Sequence, residues 1–307
     1  MTRWTVTGTT GLLGSNAALA LARDHDVTGV SRRVPEAAPV SFIETDIGTQ
    51  HGRRDLVART NAEVVLHAAA IASIEEAEQN PELAWRLNVE ASADLAAQAA
   101  ARGAAFVYIS TDAVFDGAVG SYDEAAEPTP ATEYGRTKLA GERAVLDANP
   151  DALVARVNFY GWSPSGTRSL AEFFHTRLAR GESVRGFTDT VVSTLYVGDL
   201  VAAVEGLVGH GARGVHHVVS SESISKYEFG RRLAAGFGFD PDLVQPALST
   251  DVLSVKRGSD LSLRTGLVSG ILGAPLATQQ VGIDHLVSDF TSGRPAAVRA
   301  FDPQKAA

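Results

Sequence analysis

Cysteine is absent from all 307 residues of the sequence. Disulfide bonds, thiolate nucleophiles and most structural zinc sites are therefore excluded, and no other metal-ligand cluster stands out. Long apolar runs are also missing: none reaches the roughly 18 residues of a membrane span, and the N-terminus lacks the basic-then-apolar order of a signal peptide. These absences predict a cytoplasmic protein whose chemistry depends on hydroxyl groups, amines or a bound cofactor.

Positive charge is in deficit. The sequence has 27 Lys and Arg against 36 Asp and Glu, a net charge of -9, which argues against nucleic acid or an anionic membrane as a partner. With 45% hydrophobic and 21% charged residues, the composition is that of an ordinary globular protein, long enough for one large α/β domain or two coupled ones.

A glycine motif follows the first predicted strand, Trp4 to Thr7. Three glycines at a spacing of three, between a strand and an Ala-rich helical segment, suit a tight turn, a close approach of backbone to a pyrophosphate, and close packing of helix on strand. The helix N-terminus then offers N–H groups to phosphates. Turn glycines without a ligand are the alternative. The candidate cofactor-binding residues of this motif are Gly8, Thr10, Gly11, Leu12, Leu13 and Gly14.

The second predicted strand, Val27 to Val30, is followed by Ser31-Arg32-Arg33. An NAD-binding protein usually has an acidic residue there to hold the ribose hydroxyls, whereas a hydroxyl and two guanidiniums suit the 2′-phosphate of NADPH. NADPH is therefore favoured over NADH, unless the arginines only solvate a loop. Further cofactor-binding candidates follow the third and fourth predicted strands: Asp46, Ile47, Ala68, Ala69 and Ala70.

Two polar residues of this half need another interpretation. His67 ends a buried strand, which favours a structural role over catalysis. Asn88 lies in the middle of a long predicted helix, Pro81 to Arg102, where asparagine carries a propensity cost. It either hydrogen-bonds to the nearby strand edge or is a plain surface residue.

Tyr134 and Lys138 are four residues apart in a predicted helix and so lie on one face of it. A nearby cation favours the phenolate and lowers the pKa of the phenol, which would make Tyr134 a better acid for reduction of a carbonyl group. Thr111, at the end of the fifth predicted strand, is a second hydroxyl that could brace the same substrate oxygen. The three form the candidate catalytic set.

Alternating strands and helices predict an α/β fold, a Rossmann-like doubly wound parallel sheet with ligands at the carboxyl ends of its strands. We expect a nucleotide-binding domain over 1–161, completed by a strand near 214–220. A smaller C-terminal α/β substrate lobe would comprise 162–213 and 221–294, followed by a frayed tail, 295–307.

The glycine motif, Ser110-Thr111-Asp112 and Tyr134-x-x-x-Lys138 in this order resemble an extended short-chain dehydrogenase/reductase. The segments 109–117 and 134–142 are similar to the dTDP-4-dehydrorhamnose reductase branch, and the resemblance extends from Trp4 to about Leu286. It implies that Tyr134 donates a proton, Lys138 holds the cofactor ribose and tunes the phenol, and Thr111 contacts the substrate oxygen. Tyr134 and Lys138 would thus also belong to the cofactor-binding residues. The implied reaction is reduction by NADPH of the 4-keto group of a nucleotide-linked 6-deoxy sugar.

The candidate substrate-binding residues are Thr111, Asp112, Asn158 and Arg257, and a diphosphate could also contact Arg168, Tyr196 or Lys256. The chain departs from the branch where Ala70-Ile71-Ala72 replaces Ala-Tyr-Thr and where Arg257-Gly258 replaces Arg-Pro. The sugar is therefore not specified.

Three alternatives stay open. A dehydratase would carry an acid at the position of Ala113, and an epimerase usually has an acid after the second strand, so both are disfavoured. The branch also resembles the regulatory β subunit of methionine adenosyltransferase, a binding partner rather than a catalyst, and 87–96 would suit either. A homodimer is the default expectation for assembly.

Overall fold

The computed structural model describes residues 1–251 and 259–304. Seven parallel strands form the central sheet, in the order β11-β6-β5-β4-β1-β2-β3, which is the doubly wound topology that the sequence predicts. The strands are β1 Arg3–Thr7, β2 Asp26–Ser31, β3 Ser41–Glu44, β4 Val64–His67, β5 Ala105–Thr111, β6 Leu153–Val157, β7 Phe159–Tyr160, β8 Val184–Phe187, β9 Val191–Val192, β10 Leu195–Tyr196, β11 Gly214–Val218, β12 Ile224–Ser225 and β13 Val244–Ala247.

The inner strands are apolar because both faces of the sheet are covered. In β5 alternate side chains enter different cores: Val107 and Ile109 join the cluster around α1, whereas Phe106 and Tyr108 join the cluster on the opposite face. The helices are α1 Leu12–Leu21, α2 Gln50–Arg53, α3 Leu56–Arg59, α4 Ile74–Gln79, α5 Pro81–Trp85, α6 Ala91–Arg102, α7 Glu133–Ala148, α8 Leu170–Leu178, α9 Val197–Gly209, α10 Lys226–Gly236, α11 Gly266–Leu272, α12 Gln279–Thr291 and α13 Arg294–Arg299.

The long helix predicted from Pro81 to Arg102 is interrupted by a π-helical turn, Arg86–Glu90, between α5 and α6. Asn88 lies in this turn and is fully buried. Its side-chain oxygen accepts from the Ile71 N–H at 2.9 Å, and its amide donates to the Ile71 carbonyl at 3.1 Å and to Thr137 Oγ1 at 3.0 Å. Asn88 therefore joins the segment after β4 to α7, which is the first of the two roles considered from the sequence.

Three pairs of short strands lie beside the carboxyl edge of the sheet: β10 with β7, β12 with β9, and β13 with β8. With α8, α10 and α12 they form the region in which the sequence predicts a smaller lobe. The predicted lobe also includes 197–209, but α9 packs against the central sheet instead. Its Leu200, Val204 and Leu207 are buried in the same cluster as α1, and His25 pairs with Glu205 at 2.9 Å.

The expectation of a frayed tail is wrong as far as Gln304. Residues Arg294–Arg299 form α13, and Val298 and Phe301 are fully buried. Arg294 also donates to the Asn16 side chain at 3.2 Å and to the Asn16 carbonyl at 3.1 Å. The composition of this segment did not reveal these contacts, because each partner is far away along the chain.

Candidate active site

One large cleft of about 1820 Å³ runs along the carboxyl ends of the sheet strands. It extends from the loop after β1 and the end of β2, past the ends of β4 and β5, to the short strands of the C-terminal region. Single small-molecule pockets usually measure about 300–1000 Å³. The cleft is therefore large enough to hold two ligands side by side.

The glycine loop lines one wall of this cleft. Gly8 has a positive φ of 70°, and a Cβ on it would approach the Ala69 backbone to 2.8 Å. A Cβ on Gly14 would lie 2.3 Å from the Gly8 carbonyl oxygen, so α1 packs directly on the loop. Gly11 is different, because a Cβ there would meet only the Gly8 carbonyl oxygen within 4 Å. Its open side leaves room for a ligand at the N-terminus of α1.

No side chain caps α1, whose N-cap residue is Gly11. The N–H groups of a first helical turn have no partner within the helix, and they carry the positive end of the helix dipole. Thr10, Leu12 and Leu13 line the cleft around this terminus. The arrangement can accept a phosphate group.

Beyond the loop, Ser31 at the end of β2 is buried, and its hydroxyl donates to the Arg33 carbonyl at 2.6 Å. Arg32 and Arg33 are exposed at the cleft, and neither forms an ion pair with another described residue. The remaining cofactor candidates also line this part of the cleft: Asp46, Ile47, Ala68, Ala69 and Ala70.

Thr111, Tyr134 and Lys138 line the middle of the cleft, as the sequence predicts. Thr111 is the last residue of β5, and its Oγ1 accepts from the Ala113 N–H at 3.1 Å. Tyr134 and Lys138 are brought there by α7, whose N-cap Thr132 accepts from the Gly135 N–H at 3.1 Å. A Cβ on Gly135 would lie 2.2 Å from the Ala113 carbonyl oxygen, so only glycine allows the helix to approach the turn after β5 this closely.

The effect of Lys138 on the phenol is not the one expected from the sequence. Burial raises the pKa of Tyr134 to about 12, and the Asp112 carboxylate adds to the rise, while the neighbouring Thr111 hydroxyl opposes it. Lys138 makes no resolved contribution to this pKa, and its ammonium lies over the Tyr108 ring, 3.8 Å from the centroid. The helical spacing is right, but burial outweighs the proximity of a cation.

Lys138 is itself 2% exposed. Burial lowers the pKa of Lys138 from 10.5 to about 7, although the Glu142 carboxylate one turn further along α7 acts in the opposite direction. An ammonium with a pKa near neutrality is poised between its charged and neutral forms. Such a group responds strongly to any charge that enters the cleft.

Asp112 and Asn158 also meet at the cleft. The Asn158 amide donates to one Asp112 carboxylate oxygen at 2.5 Å, and the Thr111 hydroxyl donates to the other at 3.1 Å. Burial raises the pKa of Asp112, and these hydrogen bonds oppose the rise. Arg257, the fourth substrate-binding candidate, and Lys256 lie outside the described residues.

The family described as the RmlD substrate binding domain matches residues 2–292. The chain belongs to this family. Its resemblance to the dTDP-4-dehydrorhamnose reductase branch is thereby confirmed.

Three relatives of this RmlD-family chain illustrate the range of named functions. It is 32% identical to a probable low-salt glycan biosynthesis reductase, Agl14, of Haloferax volcanii, over 94% of this chain and 99% of that protein. Identity to a dTDP-4-dehydrorhamnose reductase of Mycolicibacterium smegmatis is 35%, over 80% of this chain and 72% of that protein. Methionine adenosyltransferase 2 subunit beta of Pongo abelii is 31% identical, over 84% of this chain and 79% of that protein.

Solved structures share the fold. The crystal structure of dTDP-4-dehydrorhamnose reductase from Bacillus anthracis in complex with NADP has a TM-score of 0.82 and 22% sequence identity. That match covers 94% of this chain and all of the other. A UDP-glucose 4-epimerase from Thermotoga maritima has a TM-score of 0.80 at 22% identity, over 95% of this chain and 99% of that one. At this identity the likeness concerns the fold, which agrees with the parallel sheet described above.

Beneath the cleft of this RmlD-family chain lies a buried polar network. His67 is 1% exposed and does not line the cleft. Its Nδ1 is 2.8 Å from the Thr7 hydroxyl and its Nε2 is 3.0 Å from the Ser92 hydroxyl, and burial lowers its pKa to about 3. A neutral imidazole therefore links β1, β4 and α6, in agreement with the structural role that its position in the sequence favours.

A buried ion pair fixes the helix that carries Tyr134 and Lys138. Arg156 of β6 donates from Nη2 to one Glu142 oxygen at 2.8 Å and from Nε to the other at 3.0 Å, and the Ser110 hydroxyl donates to the same carboxylate. The two charged side chains are 4% and 3% exposed. This pair ties α7 to β6 and β5 directly behind the candidate catalytic residues.

A preformed loop, Trp162–Ser169, borders the far end of the cleft. The buried Glu172 carboxylate accepts four hydrogen bonds from it, with the Ser163 N–H at 2.6 Å, the Ser163 hydroxyl at 2.7 Å, the Arg168 N–H at 2.9 Å and the Ser169 N–H at 3.1 Å. The Ser169 hydroxyl accepts from the Glu172 N–H at 3.1 Å, which completes a capping box at the start of α8.

Of the diphosphate candidates at this end, Arg168 lines the cleft, whereas Tyr196 does not, since its hydroxyl donates to Asp289 instead. Sequence reasoning missed several residues that do line it: Arg86, Phe173, Thr190, Val192, Lys226 and Leu261. They are spread along the chain from position 86 to position 261, so no single motif identifies them together. The serine-acid pattern Ser169-x-x-Glu172 was the one local signal for the loop beside them.

Within residues 1–251 and 259–304, no helix is long and apolar enough to cross a membrane. The same residues contain no group of three or more His, Cys, Asp or Glu side chains arranged to hold a metal ion.

Proposed function

We propose that this chain reduces a ketone with NADPH, and that the substrate is the 4-keto group of a nucleotide-linked 6-deoxy sugar. The observation that carries the proposal is that the Thr111, Tyr134 and Lys138 side chains and a phosphate-accepting glycine loop line the same cleft. The relatives that are named as reductases support it, the dTDP-4-dehydrorhamnose reductase among them.

The cofactor part of the proposal rests on the fit of the donor groups. The open side of Gly11 and the uncapped terminus of α1 suit a pyrophosphate. Arg32 and Arg33 provide two exposed guanidiniums for the 2′-phosphate. Ser31 ends β2 without a carboxylate that would repel the phosphate, and its hydroxyl donates to the Arg33 carbonyl. Bound NADPH would supply the hydride for the ketone carbon.

Tyr134 would donate the proton that the ketone oxygen needs. With a pKa of about 12 the phenol is protonated at neutral pH, so the acid is present before the substrate arrives. An alkoxide is a stronger base than a phenolate, so transfer of the phenol proton to the new alkoxide is favourable despite this raised pKa. Thr111 would donate a hydrogen bond to the same oxygen, stabilising the charge that develops on it.

Lys138 would act next to the phenol. Its ammonium would donate hydrogen bonds to ribose hydroxyls of the cofactor, the role that the resemblance implies. Asp112 and Asn158, held together by their hydrogen bond, would contact the sugar beside the reacting carbon.

The experiment is NADPH oxidation with a panel of 4-keto-6-deoxy nucleotide sugars, the dTDP-linked compound included. We expect Tyr134→Phe to lower kcat by about 10²–10⁴-fold and to leave the Kd of NADPH within about twofold, because the glycine loop and the two arginines that would hold the dinucleotide phosphates are unchanged. The matched control is Tyr160→Phe, since the Tyr160 hydroxyl is buried, has no hydrogen-bond partner among the described residues and does not line the cleft. Turnover by Tyr134→Phe at the rate of Tyr160→Phe would refute the mechanism.

A non-catalytic regulatory subunit is the second candidate function. It is favoured by the 31% identity to methionine adenosyltransferase 2 subunit beta over 84% of this chain. NADPH binding without reduction of any sugar in the panel, together with copurification of a partner chain, would support it over the reductase. A homodimer and a cytoplasmic location stay predictions from the sequence.

A further inference from the structure

The segment after α13 reaches the cleft. Phe301 is fully buried, and its ring lies 6.2 Å from the ring of Phe42 in β3. Phe42 is paired in register with Gly29 of β2, only two residues before Ser31. Phe301 therefore holds the tail next to the carboxyl end of β2, where Arg32 and Arg33 begin.

The next three residues, Asp302, Pro303 and Gln304, line the same cleft as Ser31, Arg32 and Arg33. One Asp302 carboxylate oxygen accepts from the Gln304 N–H at 3.0 Å, which fixes the turn. The other oxygen has no hydrogen-bond partner among the described residues. All three residues lie beyond 292, where the match to the family ends, so this wall of the cleft is an addition to the matched region.

We propose that the tail Phe301–Gln304 forms the outer wall of the adenosine part of the cofactor site, and that Asp302 accepts a hydrogen bond from a ribose hydroxyl of that adenosine. This inference rests on the proposed function, because it takes NADPH or NADH as the ligand. An acidic residue at the end of β2 is the usual partner of the ribose hydroxyls, and here Ser31 and Arg32 occupy that position. The carboxylate missing from β2 is supplied by the tail.

Asp302 then has opposite effects on the two cofactors. NADH has both ribose hydroxyls free and gains a charge-assisted hydrogen bond. NADPH carries a 2′-phosphate at the same end, which the carboxylate repels while Arg32 and Arg33 attract it. Asp302 therefore narrows the preference for NADPH that the two arginines create.

The test is direct titration of wild-type protein and Asp302→Asn with NADPH and with NADH, followed by nicotinamide fluorescence in the absence of substrate. We expect the substitution to raise the Kd of NADH about fivefold, through loss of the charged acceptor, and to lower the Kd of NADPH about threefold at low salt. The ratio of the two Kd values should rise about fifteenfold, and the gain for NADPH should shrink at high salt.

The matched control is Asp147→Asn, which makes the same charge change at an exposed position of α7 outside the cleft. A ratio unchanged in Asp302→Asn, or changed equally in Asp147→Asn, would overturn the inference. An unchanged Kd of NADH would overturn the ribose hydrogen bond even if NADPH bound more tightly. Failure of the wild-type protein to bind either dinucleotide would instead refute the proposed function, so the two failures are distinguishable.

Discussion

Replacing Arg156 by methionine is predicted to lower the free energy of unfolding by about 3–5 kcal/mol, because it leaves a buried carboxylate without its counter-ion. The size of this loss in stability follows from the burial of both charged side chains. Arg156 and Glu142 side chains are 4% and 3% exposed, so water cannot replace the lost contacts at 2.8 and 3.0 Å. Among the described residues, the Ser110 hydroxyl alone would remain as a hydrogen-bond partner of the Glu142 carboxylate. Methionine fills much of the same volume, which keeps any cavity contribution small.

Urea unfolding followed by tryptophan fluorescence measures this loss, provided that the variants share one m-value. Arg213→Met is the control, because its pair with Asp151 has side chains 63% and 68% exposed and should contribute less than about 1 kcal/mol. The double variant Arg156→Met with Glu142→Leu should be more stable than Arg156→Met alone, since it removes the uncompensated charge. A loss below about 1 kcal/mol in Arg156→Met would refute the view that the guanidinium holds a charged carboxylate in the core.

Two further predictions concern the charges of the cleft. Replacing Arg32 and Arg33 together by alanine should raise the Kd of NADPH at least tenfold, because charged hydrogen bonds to the 2′-phosphate are lost. The Kd of NADH should change little. Equal increases in the two Kd values, measured by titration, would show that the arginines do not recognise the phosphate. Lys138→Met should stabilise the fold at pH 7 and progressively less towards pH 10. The pKa of Lys138 is about 7 in the folded protein and has its usual value of 10.5 in the unfolded chain. The free-energy cost of burying the ammonium is therefore full below pH 7 and disappears as the pH rises from about 7 to about 10.5. Urea unfolding of both proteins across this range tests the sign, and a stability difference independent of pH would contradict it.

The parts of the fold that the sequence predicts are those with local causes. The glycine loop is recognisable because Gly8 needs a positive φ and Gly14 has no room for a Cβ. The strands of the sheet are recognisable because apolar side chains facing two cores leave short continuous apolar runs, as in β5. The positions of Thr111, Tyr134 and Lys138 follow from these elements, since the carboxyl ends of parallel strands meet at one edge.

Properties that depend on distant neighbours were not predictable in the same way. The spacing of Tyr134 and Lys138 suggests a lowered phenol pKa, but the sequence does not reveal how deeply each is buried or that the ammonium lies over Tyr108. The tail looks frayed by composition, yet Phe301 packs against Phe42, which is 259 positions earlier. The residues that line the substrate end of the cleft are scattered along the chain, so no sequence motif identifies them.

The four hydrogen bonds to Glu172 have a consequence for how a sugar would be chosen. They tie the loop from Trp162 to Ser169 to the start of α8, and burial of the carboxylate makes each of them stronger than it would be in water. A ligand entering this end of the cleft would pay little conformational entropy to order the loop. The protein would then select between sugars by their fit to a loop that is already ordered. Differences in affinity between sugars would arise mainly from their dissociation rates, and not from a closing movement of the loop.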